Sequence, residues 1–175
     1  MIDLDRPEIA AFLATIAYSE GTWEEPDPYR VCFGYRHVIN DLSDHPAVTG
    51  EWGGERLDPR LCQRAGIKSG RCRSTAAGAY QINKPTWVST RKVMAREGIV
   101  LPNFGAESQD QAAWYLVGES GASAILLVSG DFESAIRKCA KRWASLPGAG
   151  YGQREKQMKV LKKFFEGRLR ADETP

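Results

Sequence analysis

Histidine is almost absent from this chain. His37 and His45 are the only two, so a zinc site would need both, or a mixture with distant cysteines, and no standard ligand spacing joins them. The four cysteines, Cys32, Cys62, Cys72 and Cys139, contain no Cys-x-x-Cys pair and are too few for a disulfide scaffold of this length. Reduced thiols are therefore the simplest expectation, although Cys62 and Cys72 could bridge a loop in an oxidising compartment. A nucleophile drawn from Cys32, Cys62 or Cys72 with a nearby histidine has no local signature. There is no Walker loop, no dinucleotide-binding glycine fingerprint and no Gly-x-Ser-x-Gly elbow. No metal and no cofactor is expected. Long uncharged apolar runs are missing too, which excludes a spanning helix, and the mean hydropathy is −0.41. Charge of one sign is scarce: 24 Lys and Arg face 22 Asp and Glu, a formal +2, too weak a field to argue for nucleic acid. Asp3 and Asp5 have the wrong sign for the start of a secretion signal.

What remains is a 175-residue chain that is 42% hydrophobic, enough for one substantial core and a single domain over residues 1–175. Asp5 reads as an N-cap, with Glu8 as its capping-box partner and Pro7 in the first turn. Ile9, Phe12, Leu13 and Ile16 recur at helical spacing, and Gly21 supplies the stop. From Trp23 to about Ser74, short alternating runs such as Val31, Phe33, Tyr35 predict loops and a small hairpin or sheet. Asn83 precedes a helix that ends near Gly98, and Ser108 with Gln111 forms a capping box ahead of Ala112, Ala113, Leu116 and Val117. Asp131 caps a stripe of Phe132, Ala135, Ile136, Cys139, Ala140 and Trp143, which places Cys139 in the core. A glycine-rich loop over 147–152 then leads into a basic helix at about 153–168 and a flexible tail over 169–175. Between Arg154 and Arg170 seven Lys or Arg meet two Glu, so this segment carries +5 and the remainder −3.

Glu20 stands out by position. It lies eleven residues after Ile9, and at about 100° per residue it returns to within about 20° of it, so its carboxylate extends the apolar stripe. Burial and the negative end of the helix dipole both disfavour the anion. These are the conditions for a general acid at neutral pH, although a glutamate near a helix end can equally turn outward to solvent. A second cluster, Ser74-Thr75-Ala76-Ala77-Gly78-Ala79-Tyr80-Gln81-Ile82, combines small residues with an aromatic and an amide, a make-up suited to sugar rings and their hydroxyls but also to an ordinary turn. Tyr151 and Gln153 repeat that combination in the glycine-rich loop.

Four segments occur in an order that resembles the lambda-type bacteriophage endolysins. They are Ala17-Tyr18-Ser19-Glu20-Gly21-Thr22; Ser43-Asp44-His45-Pro46; Ser74-Thr75 through Ala77-Gly78-Ala79-Tyr80-Gln81; and Trp143-Ala144-Ser145-Leu146-Pro147-Gly148-Ala149-Gly150-Tyr151-Gly152-Gln153. The similarity runs from about Ala11 to Gln153, while the stretch from Val48 to Arg73 looks longer than in the familiar member and holds Cys62 and Cys72. The resemblance implies an α+β, lysozyme-like fold, mainly helical, with a small β-hairpin or sheet subdomain flanking a substrate cleft. It carries Glu20 over as the catalytic residue and gives Tyr80, Gln81, Gly78, Tyr151, Gln153, Asp44 and His45 as substrate-binding positions.

The implied activity is that of a peptidoglycan lytic transglycosylase, in which one carboxyl serves as acid and then as base, leaving a 1,6-anhydromuramoyl end. A hydrolytic lysozyme would need a second carboxylate, for which Asp41, Asp44 and Glu51 are available. A noncatalytic cell-wall glycan-binding module is the reading from another class. The expected partner is the peptidoglycan glycan strand, met by a monomer, with transient contact between the basic C-terminal helix and the anionic envelope. The family also implies that the enzyme waits in the host cytoplasm until a separate holin-like protein releases it to the cell wall.

Overall fold

Proline at the first helical position and glycine just past the last define α1 (Pro7–Glu20). The structure, a computed structural model, describes residues 4–64, 68, 71–152 and 154–172. Arg6, not Asp5, is the N-cap of α1, and no side chain caps it. Pro7 has no N–H to satisfy and a backbone angle already suited to the helix, which makes a side-chain cap less necessary. Glu8 pairs instead with Arg6 at 3.6 Å. At the other end Gly21 takes φ 84°, as the left-handed turn requires.

The chain divides into two compact units, Met1–Glu24 with Asp110–Pro175, and Glu25–Gln109. In the first, α1 is buried over most of its circumference, its alanines letting neighbours close in beside Ile9, Phe12, Leu13 and Ile16. Phe12 is an aromatic hub, with Trp114, Phe132 and Phe165 meeting it edge-on at centroid separations of 6.5, 5.9 and 6.4 Å. These rings come from α5 (Ala106–Glu119), α7 (Phe132–Cys139) and α8 (Met158–Asp172). A short α6 (Ala122–Ala124) and a π-turn over Ile125–Ser129 lie between α5 and α7. Asp131 caps α7 as expected, accepting from the Ser134 amide at 3.0 Å. The helix ends at Cys139, yet Ala140 and Trp143 stay buried on the same stripe, because tight turns carry the chain on toward Pro147. The basic helix starts at Met158 rather than near 153, and residues 169–172 continue it.

The second unit carries a 3₁₀ turn (Pro28–Arg30), α2 (Pro46–Thr49), α3 (Pro59–Arg64) and α4 (Lys84–Arg96). Its sheet has two strands, β1 (Glu55–Arg56) antiparallel to β2 (Arg73–Ser74), with Glu55 opposite Ser74. The Val31, Phe33, Tyr35 run yields isolated bridges, Val31 to Val38 and Cys32 to Ala77, and no strand, since Gly34 and Tyr35 both take positive φ and turn the chain at once. The pairing instead lies in the long Val48–Arg73 stretch, where Cys62 and Cys72 form a disulfide and the Leu57 amide donates to the Cys72 carbonyl at 3.0 Å. This corrects the expectation of four reduced thiols: Cys32 and Cys139 are free and buried, Cys62 and Cys72 are joined. The start of α5 also differs. Ala106 opens it, and Ser108 lies inside it, buried, with its hydroxyl on Asn103 Oδ1 at 3.3 Å. Asn103 also accepts from the Gly105 amide at 2.8 Å, a local turn just ahead of the helix.

Candidate active site

Glu20 occupies the last residue of α1, where the chain leaves the helix through Gly21. Ser19, immediately before it, is buried, as is Ser145, which follows α7. The Ser145 hydroxyl donates to Glu20 Oε1 at 2.6 Å, and the Ser19 and Ser145 hydroxyl oxygens are 2.9 Å apart. Ser19 is also 2.8 Å from the Ile16 carbonyl. Burial raises the Glu20 carboxyl from its ordinary 4.5 to about 7, against the hydroxyl and amide of Ser145, which both favour the anion. Near neutrality, both charge states of Glu20 are therefore populated.

The three oxygens form a chain that serves each state. With Glu20 ionised, Ser145 donates to the carboxylate and Ser19 donates to Ser145. With the proton on Glu20 Oε2, Oε1 still accepts from Ser145. Each hydroxyl has one proton and can accept as well as donate, so the same bonds serve both charge states. Neither state leaves a buried donor without an acceptor. The helix geometry predicted Glu20; the Ser19–Ser145 contact, 126 residues apart in the chain, had no sequence signal.

The glycine-rich loop of this unit is held by Glu155, whose two carboxylate oxygens accept from the Gly148 and Gly150 amides at 2.9 and 2.8 Å. Those amides hold the Glu155 carboxyl below the usual range. Read from sequence, Glu155 belonged to the basic segment; its clamping role comes from the positive φ of Gly148 and Gly150, which turns both amides the same way. The loop leaves Tyr151 48% exposed, with its hydroxyl donating to the Lys141 carbonyl at 2.9 Å. The ring is thus oriented and open to solvent. Gln153 lies outside the described residues.

In the second unit, four of the expected substrate-binding residues prove to be framework. Gly78 is buried at φ 76°, and a Cβ there would lie 2.0 Å from Gln109 Oε1. That oxygen accepts from the Ala79 amide at 3.0 Å, while Gln109 Nε2 donates to the Tyr29 and Phe104 carbonyls at 2.9 and 2.7 Å. Tyr80 is 3% exposed, with its ring edge-on to Tyr29. His45 is fully buried; Nδ1 accepts from the Ala47 amide to cap α2, which leaves Nε2 to donate to the Ile82 carbonyl at 3.0 Å. Asp44 receives the Trp87 indole N–H at 2.7 Å and the His45 amide at 2.8 Å, and pairs with Arg91. Gly78, Tyr80 and His45 are buried, while Asp44 is partly exposed. Gln81 differs. It is half-buried with φ 47°, and its Nε2 donates to the Val31 and Gly78 carbonyls at 3.2 and 3.1 Å, leaving Oε1 able to accept.

The sequence profile of the endolysin family matches residues 10–169. The chain belongs to the endolysin family. The endolysin of Escherichia phage P2 is 39% identical over 161 residues, covering 87% of each chain, and that of Escherichia phage lambda is 37% identical over 164 residues, covering 89% of this chain and 88% of its own. Among solved structures, bacteriophage lambda lysozyme complexed with a chitohexasaccharide matches with a TM-score of 0.74 at 31% identity, over 96% of this chain and 97% of that one. A second structure of lambda lysozyme matches with a TM-score of 0.66 at 28% identity, over 99% and 96%. The endolysin thus has the lysozyme-like α+β fold that its sequence implied.

The other candidates for a second catalytic carboxylate in this endolysin, Asp41, Asp44 and Glu51, accept hydrogen bonds within the second unit. Glu51 Oε1 accepts from His37 at 2.9 Å and from the Asn40 amide at 2.8 Å, and Oε2 from the Asp41 amide at 2.9 Å. The Asn40 and Asp41 amides are the main reason its carboxyl is held down to about 2. Asp41 accepts from the Ser43 amide and is likewise lowered. Among the described residues, no cluster of three or more His, Cys, Asp or Glu could hold a metal ion.

Proposed function

We propose that this endolysin is a lytic transglycosylase that cleaves the β-1,4 bond between N-acetylmuramic acid and N-acetylglucosamine in peptidoglycan. The observation that carries the reading is the single enclosed carboxyl of Glu20, raised to about 7 and linked to a hydroxyl chain that accommodates it with or without its proton. Protonated Glu20 donates to the glycosidic oxygen as the bond from C1 to that oxygen breaks. The resulting carboxylate takes the proton from the muramoyl 6-hydroxyl as the bond from C1 to O6 forms. The acid is regenerated, the product ends in a 1,6-anhydro ring, and no water is consumed. Hydrolysis would need a further carboxylate to activate water or to attack the sugar. The engagement of Asp41, Asp44 and Glu51 in internal hydrogen bonds supports the one-carboxyl route. Gln81 and Tyr151 are the proposed sugar contacts, through the free amide oxygen and the open ring face. The site's natural setting is the cell wall of the host, reached from the cytoplasm once a holin-like protein has permeabilised the membrane.

Mass spectrometry of muropeptides released from purified sacculi tests the reaction type. Anhydro-ended products are expected throughout; products one water heavier as the main species would replace transglycosylation by hydrolysis. The Ser145 hydroxyl offers a second measurement. It favours the Glu20 anion, so Ser145→Ala should raise the Glu20 pKa further, moving the alkaline limb of kcat/KM upward by about half to one pH unit. A limb that stays in place would separate Ser145 from the titrating group.

A further inference from the structure

Beside α8, the first unit has an open groove of about 720 Å³ lined by Tyr18 of α1 and by Val160, Phe164, Gly167, Lys159, Lys163 and Arg168. Its aromatic lining is Tyr18 stacked on Phe164 at 4.3 Å. Two features of α8 work against the helix itself. Gly167 lies inside it, where glycine is destabilising relative to alanine, and a Cβ there would have nothing within 4 Å, so no close packing demands the glycine. Lys159 and Lys163 sit one turn apart on one face, a spacing at which like charges repel. Both choices make sense if the space beside Gly167 is to be filled and the lysines neutralised from outside. The stretch 156–165 holds four lysines and no acid, with Lys162 turned to Glu133 and Lys156 placed over the Tyr18 ring.

We propose that this groove binds an anionic glycerophospholipid at a bilayer surface, with an acyl chain against Tyr18, Val160, Phe164 and the open side of Gly167, and the phosphate against Lys159 and Lys163. The chemistry matches on both counts: an apolar trough for a hydrocarbon chain and a pair of compact cations for a phosphate. No single helix among the described residues is long and apolar enough to cross a membrane; the proposed contact is at the bilayer surface. It holds the enzyme beside a membrane surface independently of glycan cleavage, and does not rest on the transglycosylase reading.

Co-sedimentation of the full chain with vesicles of pure phosphatidylcholine, or of phosphatidylcholine with about one-third phosphatidylglycerol, tests it. The anionic vesicles should bind at least about tenfold more tightly at low salt. Gly167→Leu fills the groove and improves helix propensity, so it should leave the melting temperature equal or higher while weakening vesicle binding about fivefold or more. Lys159→Gln with Lys163→Gln should abolish the preference for phosphatidylglycerol and leave turnover of purified sacculi unchanged. Absent binding, equal binding to both vesicles, or a folded Gly167→Leu protein that binds like the parent would each overturn the proposal. The last result, combined with loss in the double lysine variant, would reduce the contact to surface charge without an occupied groove.

Discussion

Glu20→Gln is expected to abolish turbidity loss of outer-membrane-permeabilised Gram-negative cells, by about a thousandfold or more in rate, while leaving glycan binding largely intact. The same substitution should change stability in the opposite sense. The folded Glu20 carboxyl titrates at about 7 rather than 4.5, so the native state binds this proton more tightly than the unfolded chain does. The stabilisation from proton binding is complete below pH 4.5 and is lost as pH rises through 7, where the enclosed anion is penalised by about 3 kcal/mol. Glutamine cannot ionise. The variant should therefore melt close to the parent at pH 4 and about 6–10 °C above it at pH 8. Thermal melts across that range check the sign, and lysis assays check the loss. A fully lytic Glu20→Gln protein would remove Glu20 from the reaction, and parallel melting curves at all pH values would remove it from an enclosed environment.

Gly78→Ala should be among the most damaging small substitutions in the second unit. Alanine at φ 76° is strained by about 1–2 kcal/mol. Its Cβ would also meet Gln109 Oε1 at 2.0 Å, and moving that amide away breaks hydrogen bonds to Ala79, Tyr29 and Phe104, each about 1–3 kcal/mol when a buried group is left unpaired. The total is about 4 kcal/mol or more, a large part of the stability of a domain. The melting temperature should fall by about 10 °C or more. The cause can be isolated: Gln109→Ala is destabilising by itself but removes the obstruction, so the double variant should be less destabilised than the two single changes added together. Strict additivity would show that the backbone angle alone, and not the Gln109 contact, demands glycine.

The course of the chain through the first unit was legible because its helices carry strong local signals. Pro7, Gly21 and the Ile9 stripe define α1, and the stripe beginning at Phe132 gives α7 its buried face. Helical spacing places Glu20 on the Ile9 stripe, and the Ser145 hydroxyl, which spacing does not announce, bonds its carboxyl there. What escaped were contacts between residues far apart in the chain: Ser145 on Glu20, Gln109 behind Gly78, and Glu155 on the loop amides. A small-residue motif such as Ala77-Gly78-Ala79 has the same composition whether its backbone approaches a sugar or a buried glutamine, so composition does not separate the two roles for Gly78 and Tyr80, whereas Asp44 and His45 are expected at the site only through the family resemblance. The capping boxes at Asp5 and Ser108 do not form because α1 starts at Pro7 and α5 at Ala106, away from both.

The pairing of Ser19 with Ser145 bears on how rigid this protein can be. A group that alternates between neutral and negative ordinarily needs mobile surroundings, with side chains or solvent that rearrange whenever the charge changes. Here Ser145 donates to Glu20 Oε1 whether or not the carboxyl holds its proton, so this contact needs no displacement of heavier atoms when the charge changes. The helix carrying Glu20 can thus stay packed in the core in either charge state.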